Sequence, residues 1–312
     1  MSIKKLLAAS LTVLMLLSMS ACKPATPKEP EVKQYSVIAP SGAPSLSLLD
    51  LADDPNTTIE IVDGADALTA EFSNAEKDFI IAPINLGVKL SQKTENYQLM
   101  AVLTWGNLFL VAKDEETAEF ITGKTVAAFG EAAVPGKVIS YLEDELTGIQ
   151  FEWFNSVQEA SAAFLSGEYD AAVLAEPVLT MTKAKWKENH EEDFAIAYDL
   201  QELYQEKSGY QTYPQAALFV RKATLEADTE SVVAFTNVIK QSITKYNGNA
   251  DALSKRIDEI DLTKFGFQNP DLIKKAYQKM ALNYRLASEC LDDIKSFLAV
   301  FEIELAEKVY VK

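Results

Sequence analysis

Histidine occurs once and cysteine twice in the 312-residue chain, and acidic side chains outnumber basic ones by 46 to 29. The single imidazole, His190, lies in KENHEEDF among mostly charged neighbours and reads as a solvated surface residue. Histidine-based acid/base chemistry and a zinc site of the usual Cys/His kind therefore find no residues to build on. A formal charge of −17 repels phosphate backbones and argues against nucleic acid as a partner. No catalytic residue, metal or cofactor is expected from this inventory.

Long apolar runs are also scarce, apart from one at the start. Lys4 and Lys5 precede an apolar stretch from Leu6 to Leu17, which ends in SMSAC. This is the form of a secretory signal, too short to span a membrane. Cleavage before Cys22 would leave its thiol at the new N-terminus, and MSAC resembles the bacterial lipoprotein processing site. An ordinary signal peptide with an incidental cysteine is the plainer alternative. The next residues, KPATPKEPEVKQ (22–34 with Cys22), are rich in Pro and Lys without an apolar face, as in an extended tether. Removal of residues 1–21 would leave 291 residues, enough for two lobes with a core each, and would take the charge to −19 by losing Lys4 and Lys5. With Cys22 acylated, Cys290 is the remaining thiol, so no disulfide forms within the chain.

The mature part carries an internal duplication. YSVIAPSGAPSLSLLDL reads as strand, small loop and helix, TTIEIVDGADAL as strand and helix start, and DFIIAPINLG as a strand closing on Pro. TVAAFGEAAVPGKVISYLEDEL, IQFEWFNSVQEASAAFLSG and DAAVLAEPVLT repeat that order. Val138, Tyr141, Leu142 and Leu146 recur at helical spacing, with Pro135 at a first helical position and Gly148 just beyond the end. Short apolar strands alternating with helices predict parallel pairing in a sheet covered on both faces, and ligands gather beyond the carboxyl ends of such strands. Those ends are APSGAPS, APIN, FGEAAVPG and AEPV. A small loop entering a helix exposes N–H groups the helix cannot use, and Gly42 permits close approach to them. A plain tight turn would have the same residues, but a matching loop in the second repeat would turn two such mouths into a cleft.

Together, the lipoprotein-like start, VIAPSGAPSLSLLDLA, DFIIAPINLG, GKTVAAFGEAAVPGKVISYLEDELTG and FLSGEYDAAVLAEPVLT resemble the substrate-binding proteins of ABC importers. The closer likeness is to the nitrate/sulfonate/taurine and thiamine-precursor branch of the type II periplasmic-binding fold. It runs from about Tyr35 to the C-terminal helices and rests on the order and spacing of the segments. The resemblance implies an α/β fold of two lobes, each a mostly parallel sheet flanked by helices, joined by two hinge crossovers. Lobe one would comprise residues 35–104 plus 220–312, and lobe two residues 108–216. The crossovers would fall at Trp105, Gly106 and Asn107 and near YPQAALFVRK, and DTESVVAFTNVIKQSITKY and NPDLIKKAYQKMALNY would pack as helices on lobe one.

Carried onto this sequence, the resemblance places ligand contacts at Ser41, Gly42, Ala43 and Asn85, at Trp105, Gly106 and Asn107, at Glu131, Ala132, Ala133 and Val134, and at Glu176 and Tyr213. Trp105 could equally be a core aromatic, Glu131 a solvated loop acid or helix-start charge, and Glu176 a cap on the turn made by Pro177. Arg221, Arg256 and Arg285 are the arginines, none at a predicted strand mouth, and the proposed loops hold no lysine. Glu131, Glu176, Asn85 and the aromatics suit a neutral or cationic nitrogen heterocycle, such as a pyrimidine-type thiamine precursor. Backbone amides could still hold a sulfonate or other small anion. The implied partners are a small solute, ABC permease and ATPase subunits, and the outer face of the bacterial cytoplasmic membrane through the lipid, for an extracytoplasmic monomer. An enzyme on the same scaffold and a lipid-anchored sensor or adhesion subunit are the rival readings.

Lipidation needs the thiol, so Cys22→Ser should release a folded protein from the membrane fraction. Immunoblotting of fractionated cells checks this, and a variant that stays at the membrane would sink the anchor.

Overall fold

The computed structural model describes residues 33–113 and 121–312. The leader over 1–21, Cys22 and the tether as far as residue 32 lie outside the described residues. The segment Gln34–Lys312 forms one compact unit, and among the described residues no helix is long and apolar enough to cross a membrane.

Two sheets organise this unit. The first is ordered β2-β1-β3-β10-β4-β11, from β1 Tyr35–Pro40, β2 Thr57–Val62, β3 Phe79–Pro83, β4 Tyr97–Trp105, β10 Pro214–Arg221 and β11 Leu282–Leu286. The second is ordered β7-β6-β8-β5-β9, from β5 Leu108–Ala112, β6 Thr125–Phe129, β7 Gln150–Phe154, β8 Ala171–Ala175 and β9 Ala195–Asp199. The duplication seen in the sequence is visible in these orders. In each repeat the first strand lies between the second and third, all three parallel, as β2-β1-β3 and β7-β6-β8. In each sheet the third strand then meets an antiparallel strand that has just arrived from the other sheet, β10 beside β3 and β5 beside β8.

Both sheets are therefore mixed. Only β10 and β11 run against the common direction in the first and β5 in the second, since β4 and β9 each reverse an already reversed neighbour. The reversed strands β5 and β10 are the ones the crossings lead into: a chain leaving one sheet at a strand's carboxyl end enters the other sheet from that same end. Residues 106–107 make the first crossing. The second follows β9 through the helix Leu200–Ser208 and residues 209–213.

Two expected helices take another form. Residues Ala43–Leu51 wind as a 3₁₀ helix of nine residues, longer than such helices usually run. The Ser45 hydroxyl donates to the Gly42 carbonyl at 2.8 Å and that of Ser47 to Pro44 at 2.7 Å, binding the chain three residues back and tightening it. Near the C-terminus, the helix Pro270–Ala276 passes into a 3₁₀ turn and stops short of residues 282–286. Ala281 there adopts φ +52°, and the following LNYRL becomes the edge strand β11, with Leu282 opposite Thr104 on β4.

The helix Thr229–Gly248 packs on the first sheet through Val232, Phe235, Ile239 and Ile243, and Phe235 stacks on Phe79 with centroids 4.6 Å apart. On the opposite face the helix Ile84–Thr94 approaches β10 so closely that a β-carbon at Gly87 would lie 2.2 Å from the Phe219 ring. Gly87→Ala should therefore destabilise the fold by about 1–3 kcal/mol, the usual cost of overpacking. Urea unfolding measures this, and an unchanged midpoint would show that the helix can shift without loss.

Candidate functional site

Strands that run parallel deliver their carboxyl ends to one side of a sheet. A cavity of about 320 Å³ opens where the ends of β1 and β8 face each other. Ser41 and Gly42 after β1, with Gly266 and Phe267 from a distant loop, form one wall; Glu176 and Pro177 after β8 begin the other. The second wall continues along the helix Val178–Trp186 through Val178, Met181, Thr182 and Lys185, and along the first turns of the helix Val157–Leu165.

Local chemistry explains each wall. Gly42 caps the 3₁₀ helix at φ 104° and ψ −163°, a conformation that side chains resist. Ser41 is pinned from both sides: its N–H donates to the Val62 carbonyl at 2.9 Å and its hydroxyl to Asp63 at 2.7 Å. Across the cavity, Ser156 caps the helix Val157–Leu165 by accepting from the Glu159 N–H, while Glu159 accepts from the Asn155 N–H, a reciprocal capping box displaced by one residue. Ser161 and Thr182 tie the two helices together through a 2.6 Å hydroxyl contact.

Glu176 is 4% exposed, and its carboxylate folds onto the helix that follows. It accepts from the Thr180 N–H at 3.1 Å and the Thr180 hydroxyl at 2.9 Å. Burial raises its pKa, opposed by those two bonds and by the charges of Lys279 and Lys183. Its backbone carbonyl accepts from the Asn107 amide at 3.3 Å, joining the mouth of β8 to the first crossing.

Ser41, Gly42 and Glu176 of the expected contacts line this cavity. Ala43 is buried beside them, at the start of the 3₁₀ helix. Glu131, Ala132 and Ala133 are exposed in a loop closed by Ala133 N–H and Gly136 N–H, which both donate to the Gly130 carbonyl, and Val134 is buried behind it; none of the four lines the cavity. Trp105 is buried, donates its indole N–H to the Asn283 carbonyl at 2.8 Å and carries the Arg285 guanidinium over its ring at 4.9 Å. Tyr213 is fully buried, stacks on Phe297 at 5.3 Å and donates to Gln201. Gly106 and Asn107 are buried in the crossing.

Asn85, Asn107 and Gln215 share a further property. Each has a buried side-chain carbonyl oxygen without a hydrogen-bond partner. The register brings them to one end of the first sheet, because Ala216 pairs with Pro83 and Pro214 with Trp105. Buried polar atoms are nearly always satisfied, so three orphan acceptors at the crossing end of a sheet call for a donor.

Lys185, Gln158 and Phe267 were not expected. Lys185 falls on the face of Val178, Met181 and Thr182 by helical spacing, a signal available once Glu176–Pro177 is taken as the helix start. Phe267 reaches the cavity from a loop about ninety residues later, with nothing local to mark it. Among the described residues Lys185 has no ion-pair partner, and no group of three or more His, Cys, Asp or Glu side chains could hold a metal.

No family model matches the chain, and no curated protein matches it. Its fold is similar to that of an ABC transporter from Parabacteroides distasonis, with TM-score 0.76 and 21% identity over 90% of this chain and 99% of that one. The periplasmic aliphatic sulphonate-binding protein from Escherichia coli aligns with TM-score 0.64 and 11% identity over 86% of this chain and 92% of that one. The ligand-binding component of an ABC-type import system from Staphylococcus aureus, solved with zinc bound, aligns with TM-score 0.63 and 14% identity over 90% and 96%. The shared arrangement is the two-lobed type II periplasmic-binding fold, two mixed sheets flanked by helices.

The raised Glu176 pKa has a direct consequence for stability. The folded chain holds this proton to higher pH than the unfolded chain, whose carboxyl titrates near 4.5, so the stability it contributes is full below 4.5 and declines as pH rises through the raised value. Relative to Glu176→Gln, the wild type should lose stability as pH rises from 4.5 through the raised folded-state value. Urea titrations at stepped pH test this, and a constant difference across that window would show that the burial is relieved in solution.

Proposed function

We propose that this chain is the extracytoplasmic solute-binding component of an ABC import system, held to the membrane by lipid on Cys22 and delivering a small polar solute to permease and ATPase subunits as a monomer. The observation that carries the reading is the cavity of about 320 Å³ between strand ends of both sheets, a volume suited to a small ligand. The fold likeness to import-system binding proteins and the lipoprotein-like start support it. The lobes, expected at 35–104 plus 220–312 and at 108–216, would close over the solute about the paired crossings, with the second boundary drawn back to residue 213 because β10 lies wholly in the first sheet. No catalytic step is required of any residue in the cleft.

For the solute we favour a nitrogen heterocycle of the pyrimidine type. Glu176 on the cavity wall is an acceptor that an N–H-donating ligand suits, while the orphan oxygens of Asn85, Asn107 and Gln215 lie at the crossing end of the first sheet and outside the lining of this cavity. The second reading is a sulfonate or other small anion, favoured by the unpaired Lys185 on the cavity wall and by the sulphonate named for the Escherichia coli neighbour.

A thermal-shift screen over nucleobases, pyrimidines, amino acids and sulfonates tests the function. A true solute should stabilise the chain by about 2.7 kcal/mol at a hundredfold excess over its Kd. Flat melting across all four classes would remove the support for capture of any of them. Calorimetry then separates the two solute classes. For an N–H-donating ligand, Glu176→Gln should weaken binding by about 1.5–3 kcal/mol, as expected for a hydrogen bond to a charged group. For an anion, Lys185→Gln should be the damaging substitution and Glu176→Gln neutral or favourable.

A further inference from the structure

A second cavity, of about 410 Å³, lies on the other side of the helix Val178–Trp186, and its chemistry is unlike that of the first. Thr180, Lys183, Ala184 and Lys187 face it at spacings of three, four and seven residues, so they form one stripe running off the end of that helix. Leu272, Lys275 and Lys279 face it from the helix Pro270–Ala276 and the turn beyond, again at spacings of three and seven. Four ammonium groups thus line one crevice in a chain of formal charge −17.

The crevice holds one carboxylate, Asp193, which lies 3.2 Å from Lys187 and 4.0 Å from Lys183. Among the described residues Lys275 and Lys279 have no ion-pair partner, whereas the adjacent Lys274 pairs with Asp258 at 2.6 Å outside the crevice. Like charges gathered in a concave, partly desolvated site focus a positive field, and their repulsion is relieved only by negative charge brought from outside. A monovalent ion leaves that imbalance standing, because three lysine charges exceed what Asp193 offsets. The helices adjoin strands of opposite sheets, one following β8 and the other preceding β11, so a multivalent ligand would contact both sides together.

We infer that this crevice is a binding site for a small multivalent oxyanion, of the phosphate or diphosphate kind, held between Lys183 and Lys187 on one helix and Lys275 and Lys279 on the other. Free phosphates and phosphomonoester lipid headgroups present the same chemistry. The site is separate from the solute cleft and shares no lining residue with it.

Titration calorimetry of the full chain with sodium diphosphate, at constant ionic strength and without any cleft ligand, tests the assignment. The double substitution Lys275→Gln/Lys279→Gln removes two exposed charges and leaves Asp193 and its partners in place. It should weaken diphosphate about tenfold or more. The control Lys264→Gln/Lys295→Gln removes the same charge from exposed positions outside the crevice and should leave affinity within about twofold, the change expected of distant screened charges. Sedimentation with vesicles containing phosphatidic acid, whose headgroup is a phosphomonoester, runs in parallel, and a lysine-pair-dependent association there, without diphosphate binding, assigns the ligand to a headgroup. Absence of both interactions in the wild type overturns the inference, as does an equal loss in the two double variants, which would reduce it to net charge.

Discussion

Both crossings between the sheets press against one residue that has no side chain. A β-carbon at Gly106 would lie 2.7 Å from Gln201 Cγ, 2.8 Å from Thr212 Oγ1 and 2.8 Å from the Tyr213 ring, so the first crossing can pass the second only because this position is glycine. Polar contacts then fasten them: the Gly106 N–H donates to Thr212 at 3.2 Å, and Gln201 Oε1 accepts from the Leu108 N–H at 2.7 Å and from the Tyr213 hydroxyl at 2.9 Å. Paired at this spacing, the crossings leave both sheets with their parallel carboxyl ends turned toward each other. The facing strand ends and the placement of Glu176 against Asn107 follow from that junction.

The charged residues show a similar division of labour. Each arginine is occupied in structure. Arg221 reaches Asp78 at 2.7 Å, where Ser36 and Thr224 also donate, and against the desolvation of burial these bonds and the Arg221 charge hold the Asp78 pKa below the ordinary carboxylate range. Arg256 donates to the Leu49 carbonyl at the end of the 3₁₀ helix, and Arg285 covers Trp105. In the proposed sites the side chains left for binding are lysines and a carboxylate. A lysine on a flexible stem can follow a moving wall, whereas the planar guanidinium suits fixed geometry.

Much of this was legible in the sequence because strands and their exits are short-range events. The repeated strand, loop and helix order, the APSGAPS and AEPV mouths and the break at Trp105–Asn107 are all written in contiguous residues. The antiparallel β5 and β10 were legible only as crossings, since strand direction depends on where the chain comes from. The 3₁₀ form of Ala43–Leu51 arises from serine hydroxyls competing for carbonyls, which apolar periodicity does not register. Among the residues lining the cavity, the ones expected from sequence were those at strand ends. Lys185 lay two turns into a helix, and Phe267 belonged to a loop whose packing against Ser41 is decided by tertiary structure alone; Gly266, its neighbour, would place a β-carbon 3.3 Å from Ser41 Cβ.

The helix Val178–Trp186 joins these threads, because it is the common wall of two cavities. One face turns Val178, Met181, Thr182 and Lys185 to the cleft, and another turns Thr180, Lys183 and Ala184 to the lysine crevice. Glu176 sits at its start, accepting from the Thr180 N–H and hydroxyl and lining the cleft, yet it feels Lys183 and Lys279 from the crevice side. Those two charges favour its ionised form against the desolvation that opposes it. An oxyanion in the crevice would cancel part of their field and push the Glu176 pKa higher, toward the protonated form. A carboxyl that has gained a proton offers a cationic or N–H-donating solute less than a carboxylate does, and offers an anion more. Coupling of this kind is reciprocal, so a cationic solute in the cleft would weaken the oxyanion by the same factor, while an anionic one would strengthen it. The sign of the linkage thus follows from the charge of the solute, through one carboxylate and the helix it caps.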